Sequence, residues 1–228
     1  MRRESSTVVA LVGDVTGSLL AGLARSPNVS VARAAGTGAG TPAETGPAAP
    51  GRGWEHGAKA MREAARRRSM YVIVPDDPLA EVAAEWRAMW DPSSASAGAA
   101  AFEQRAAEAL AAWRGKQFEL PDYYLVVVPA LHSVAGPDLY LGPLRAARPH
   151  RVAVAAVAGA PDAQGPAASV VGALRSLEHG PWWPPLDELL GAAGRFYAGG
   201  LTAPGADSDS CAAAWEAADD SPAGAGLA

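Results

Sequence analysis

The sequence predicts an α/β protein built as an open three-layer sandwich, a mainly parallel sheet of four to five strands covered by helices on both faces. Three observations lead there. First, the apolar runs TVVALVG (7–13), MYVIVP (70–75), YYLVVVPA (123–130) and RVAVAAVAG (151–159) are continuous rather than alternating, as strands buried on both sides must be. Second, segments with helical spacing of apolar residues separate these runs, the pattern of crossover connections in a parallel sheet. Third, the chain has 228 residues, of which 49% are hydrophobic and 54 are alanine. Setting the alanines aside leaves roughly a quarter of the chain as large core-forming side chains, enough for one domain.

Taken in order, residues 7–13 form a β-branched strand ending on Gly13, and Leu19, Leu20 and Leu23 then mark a helix. A short strand is expected at Val29–Val31. Residues 35–53, AGTGAGTPAETGPAAPGRG, have no periodicity and almost no large side chain, and are read as a mobile loop. Trp54, Ala58, Met61 and Ala65 define the next helical face, with Arg62, Arg66, Arg67 and Arg68 gathered where cations suit the helix dipole. After the strand at 70–75, Asp77 and Pro78 fit an N-cap and a first helical position for a helix through Leu79, Val82, Trp86, Met89 and Trp90. A helix carrying Phe102, Ala106, Leu110 and Trp113 leads to the most strand-like segment, 123–130. A helical turn near 139–147, the strand at 151–159, a helix near 167–178 and another from Leu186 to Tyr197 complete a domain spanning 1–200. Residues 201–228 are rich in Ala, Gly, Ser and Asp and are expected to be a disordered tail. The whole reads as Rossmann-like or degenerate P-loop-like, with no internal repeat.

Composition narrows the function. The net charge is −5, and 17 Arg with 2 Lys give no dense basic face, which argues against general nucleic-acid binding. The single Cys211 excludes an intramolecular disulfide framework and a cysteine zinc cluster, and suits a reducing, cytoplasmic setting. The apolar N-terminal stretch is broken by Gly13, Asp14 and Gly17, so membrane insertion is not expected. His56, His132, His150 and His179 show no metal-ligand spacing.

In an open parallel sheet, ligands bind beyond the carboxyl ends of the strands, so chemistry is sought there. Gly13, Asp14, Val15, Thr16, Gly17 and Ser18 lie between the first strand and its helix, where Gly13, Thr16, Gly17 and Ser18 could cradle a phosphate. The segment has no Walker lysine and is no GxGxxG; Asp14 or Thr16 as a helix cap is the plainer reading. Asp14 followed by Val15-Thr16-Gly17-Ser18 resembles the nucleophile motif of the haloacid dehalogenase-like phosphohydrolases over these five residues. That resemblance implies Asp14 as nucleophile, with Lys59 and the pair Asp76-Asp77 as the lysine and magnesium-holding acids. Asp76 and Asp77 could hold Mg²⁺ with a substrate phosphate. His132-Ser133 is a poor base and nucleophile, because neighbours in an extended segment point apart. Trp182 and Trp183, fixed among prolines, would serve as interface anchors or pack as a staple ahead of the last helix.

The leading expectation is a non-catalytic interaction or regulatory domain with an unidentified protein partner, no cofactor, and weak anion or nucleotide binding at the first strand-to-helix loop. The alternative is a phosphate- or nucleotide-handling enzyme, Mg-dependent and phosphohydrolase-like, with Asp14 or Asp76 catalytic.

Overall fold

A computed structural model describes residues 6–33, 53–91, 93, 95–129, 138–157 and 165–201. The expected loop at 35–53, except Gly53, the tail after residue 201, and His132-Ser133 lie outside the described residues. The elements are β1 (Thr7–Gly13), α1 (Gly17–Ala24), β2 (Val29–Val31), α2 (Gly53–Ala64), β3 (Tyr71–Val74), α3 (Ala80–Ala88), α4 (Ala95–Arg114) and β4 (Tyr123–Val128). A π-helical turn (Tyr140–Leu144), α5 (Arg145–Ala147), a 3₁₀ turn (Pro149–Arg151), β5 (Val152–Ala156), α6 (Gly165–Arg175) and α7 (Leu186–Leu201) follow. The chain divides into two compact units, Met1–Ala193 and Gly194–Ala228. The first holds all five strands; the described part of the second is the end of α7, residues 194–201.

All five strands are parallel, in the order β2-β3-β1-β4-β5. Alternate residues of each strand feed opposite layers, as the twofold period of a strand requires. Val9, Leu11, Ile73, Leu125 and Val127 pack with Leu19, Leu20 and Leu23 of α1 and Val170 and Leu174 of α6. Val8, Val72 and Val74 face the other way, onto Ala60, Met61 and Ala64 of α2. The open three-layer α/β fold is therefore present, with every strand in the expected place.

β1 leads leftward to the edge strand β2 with α1 on one face, whereas α2, between β2 and its rightward neighbour β3, packs on the other. Opposite faces for opposite directions of travel are what a single hand of crossover requires. Because the chain leaves β1 to one side and β4 to the other, the carboxyl ends of these neighbours form the topological switch point.

Local signals were met unevenly. Thr16 caps α1, its hydroxyl accepting the Leu19 amide at 3.2 Å. Asp77 caps the turn that leads into α3, its carboxylate accepting the Leu79 amide, rather than the regular helix itself. The helix begins at Ala80 after Leu79, without a side-chain cap, and Asp77-Pro78-Leu79 forms a turn closed by the Ala80 amide on the Asp77 carbonyl at 3.2 Å. The Asp77 carboxylate turns into the core because two phenolic hydroxyls reach it there. The buried stripe of α4 is Phe102, Ala109 and Ala112, while Ala106, Leu110 and Trp113 are half-buried. Among the described residues, no helix is long and apolar enough to cross a membrane.

Gly13 ends β1 at φ +91°, and a Cβ there would run into the backbone carbonyl of Val127. Gly172, in α6, has open space around it. Gly13→Ala is expected to cost about 1–3 kcal/mol from forbidden backbone geometry and collision. Gly172→Ala is expected to stabilise by about 0.5–1 kcal/mol. Denaturant melts of both variants check the contrast; equal effects would contradict the β1–β4 close approach.

Candidate functional site

Two surfaces, at opposite ends of the sheet, hold the residues of interest. At the carboxyl end, Gly13 lets the chain turn sharply against β4, and the Asp14 amide bonds to the Val127 carbonyl at 2.9 Å. Asp14, Thr16 and Ser18 are exposed, and the hydroxyls of Thr16 and Ser18 lie 3.0 Å apart at the start of α1. The loop thus sits at the switch point, with the amino end of a helix and two hydroxyls facing solvent.

Beneath the carboxyl end of β3 lies a polar knot in the core. Asp77 is buried, and its oxygens accept the Tyr124 hydroxyl at 3.1 Å and the Tyr140 hydroxyl at 2.5 Å. The Leu79 amide is a further donor to the carboxylate. Burial dominates these hydrogen bonds and pushes the Asp77 carboxyl up from 3.8 to about 6. The same burial, with the neighbouring Asp77 charge, raises both tyrosine hydroxyls well above their ordinary range. The two tyrosine rings lie 5.1 Å apart, and Trp183 meets Tyr124 edge-on at 5.7 Å.

The amino ends of β4 and β5 carry the second surface. A strap at 178–185, between α6 and α7, is bound along these strand starts. The Arg151 guanidinium donates to the carbonyls of Pro181 at 3.0 Å, Asp122 at 3.1 Å and Gly180 at 2.7 Å. Its charge also lies 4.9 Å from the ring centres of both Tyr123 and Trp182. Arg148 Nε donates to the Trp182 carbonyl at 2.7 Å, and the Tyr123 hydroxyl donates to that of Glu178 at 3.0 Å. Trp183 is buried and its indole N–H donates to the Pro121 carbonyl at 2.7 Å. Trp182, its neighbour, is 51% exposed.

No protein-family model, curated protein or solved structure matches this chain.

The structure therefore sorts the sequence candidates. Gly13, Asp14, Thr16, Gly17 and Ser18 stand together in one solvent-facing loop. Asp76 is half-buried beside Asp77, whose carboxylate is enclosed by its three donors. Lys59 is on the exposed side of α2, across the sheet from α1. Among the described residues, no three His, Cys, Asp or Glu side chains gather as a metal centre. Trp182 and Trp183 part company, one facing solvent and one in the core. Sequence reasoning missed Tyr124, Tyr140, Arg148 and Arg151. A tyrosine inside an otherwise aliphatic strand was the available signal, since a buried phenol needs a partner.

The raised carboxyl makes stability depend on pH with a defined sign. Between about 3.8 and about 6 the folded chain holds a proton on Asp77 that the unfolded chain has lost, so stability falls as pH rises through this window. The shift corresponds to a loss on the order of 3 kcal/mol, complete above the folded value. Asp77→Asn keeps the shape and removes the charge. Urea melts across the window should show a flatter profile for Asp77→Asn than for the wild type; parallel profiles would overturn this account of Asp77.

Proposed function

We propose that this chain is a non-catalytic α/β interaction domain whose partner seats on Trp182. The carrying observation is that a half-exposed indole is held by a fixed surround. Its carbonyl is bound by Arg148, one ring neighbour is the Arg151 guanidinium, and the next residue, Trp183, is anchored in the core. Prolines at 181, 184 and 185 further restrict the backbone. A large side chain ordered before binding loses little entropy on contact, and Trp and Arg are the residues that most often dominate interface energies. The single cysteine and the absence of a dense basic face suit a cytoplasmic protein–protein role.

A second reading, a Mg-dependent phosphate- or nucleotide-handling enzyme, is favoured by the position of the Gly13–Ser18 loop at the switch point. In that reading Thr16, Ser18 and the amides of Gly17 and Ser18 hold an anion, and Asp14 or Asp76 serves metal or proton. The exposed Asp14 carboxylate at the mouth of the loop opposes an unaccompanied anion, so this reading needs the cation.

Trp182→Ala should leave unfolding free energy within about 0.5 kcal/mol of wild type, while Trp183→Ala should lose about 3–5 kcal/mol. A photo-crosslinking side chain at position 182 should give a discrete protein adduct in the intact cell, and the same group at exposed Glu103 of α4 should give none. Equal labelling from both positions would count against the Trp182 seat. Thermal-shift measurements with phosphate, sugar phosphates and nucleotides, each with and without Mg²⁺, address the second reading. A ligand at about 100 times its Kd adds about 2.7 kcal/mol. A metal-dependent rise removed by Asp14→Asn would move the assignment to the enzyme.

A further inference from the structure

We infer that the partner segment seated on Trp182 is an acidic peptide that sets a carboxylate against Arg148 beside the indole; this rests on the interaction reading above. Among the described residues, the positive charge beside the strap has no carboxylate counter-ion. Arg151 is buried, yet all its hydrogen bonds go to neutral carbonyls and its stacking partners are neutral rings. Among the described residues, no carboxylate comes within ion-pair distance of Arg151 or Arg148. Arg148, half-buried, spends Nε on the carbonyl of the half-exposed Trp182 and Nη1 on the Ala147 carbonyl at 2.8 Å, which leaves Nη2 for an incoming group. His150 and His179 add further nitrogen groups on this side, and His150 Nε2 lies 2.9 Å from the Pro181 carbonyl.

Asp122 has one carboxylate oxygen on the Val8 amide of β1 at 2.6 Å. Glu178 is exposed at the far end of the strap, where its carbonyl holds Tyr123. An incoming carboxylate would therefore pair with Arg148 and feel the buried Arg151 charge through the ring that covers it, while an adjacent apolar side chain packs on the free indole surface. Charge complementarity of this kind fixes register and hastens encounter. A single open guanidinium edge fits a carboxylate better than a polyphosphate backbone, which needs a row of cations that this acidic chain does not supply.

The test is an indole N–H titration of the full-length ¹⁵N-labelled protein, with the Trp182 resonance identified by its loss in Trp182→Phe. The probes are a synthetic peptide alternating Glu and Leu, its Gln–Leu and Lys–Leu counterparts, and single-stranded oligothymidylate. The expected result is a shift of the Trp182 resonance by the Glu–Leu peptide at about tenfold higher affinity than by the Gln–Leu peptide, weakening with salt. Arg148→Gln should remove that advantage and Arg148→Lys should restore part of it, with the Trp183 resonance unchanged in both as the sign of an intact strap. Equal response to the Glu–Leu and Gln–Leu peptides, indifferent to Arg148→Gln, overturns the acidic partner and leaves the Trp182 seat standing. A response to oligothymidylate alone overturns it in favour of nucleic acid. Silence of the Trp182 resonance to every probe also overturns it, and the seat itself is then judged by the crosslink at position 182.

Discussion

One buried carboxylate holds together parts of the chain that are far apart in sequence. Asp77 terminates the turn after β3 and receives hydroxyls from β4 and from the π-helical turn, with the Leu79 amide completing its surround. An unpaired carboxylate in this position would be strongly unfavourable, so the position of each donor is constrained by the same atom. The constraint spreads outward. Tyr124 supports Trp183 edge-on, Trp183 fixes the strap to Pro121, and the strap positions Trp182. On the other side α2 approaches so closely that a Cβ at Gly57 would enter the backbone of Asp77 and Pro78. Polar satisfaction inside the core thus shapes the presentation of a side chain at the surface.

The two ends of the sheet divide the candidate chemistry. The carboxyl end offers the conventional location for a ligand in a parallel α/β fold, built from a left-handed glycine and a capped helix. The amino end offers an ordered aromatic backed by cations, assembled by backbone carbonyls of the strap rather than by a motif. A carbonyl can come from any residue, so the second surface leaves almost no trace in a sequence.

The fold was legible because burial on both faces demands uninterrupted apolar strands, and β1, β3, β4 and β5 carry them within the expected runs. Strand order was not legible, since nothing local tells β2 to take the edge and β3 to return beside β1. Asp77-Pro78 read as a helix start, and the Leu79 amide on the carboxylate answers to that local signal; the tyrosines that also bind it are 47 and 63 residues away, beyond what capping rules weigh. The twin tryptophans could have been separated in advance. Adjacent residues in an extended strap point to opposite sides, so one of Trp182 and Trp183 had to face inward. Arg151 stood at the start of a strand with no sequence-local carboxylate, and only the return of the chain at 180–181 reveals what holds it.

The pairing of β1 has a consequence for how the molecule is made. This first strand bonds only to β3 and β4, and not to β2, its neighbour in sequence. A nascent chain must therefore carry an almost wholly apolar strand whose one edge waits for residues 71–74 and whose other edge stays open until residues 123–128 have been synthesised. At ordinary elongation speeds that interval is on the order of ten seconds. Throughout it the α1 leucines, which pack on residues of β1, β3 and β4, have no finished sheet to cover, so this segment depends on a chaperone's shelter until β4 arrives.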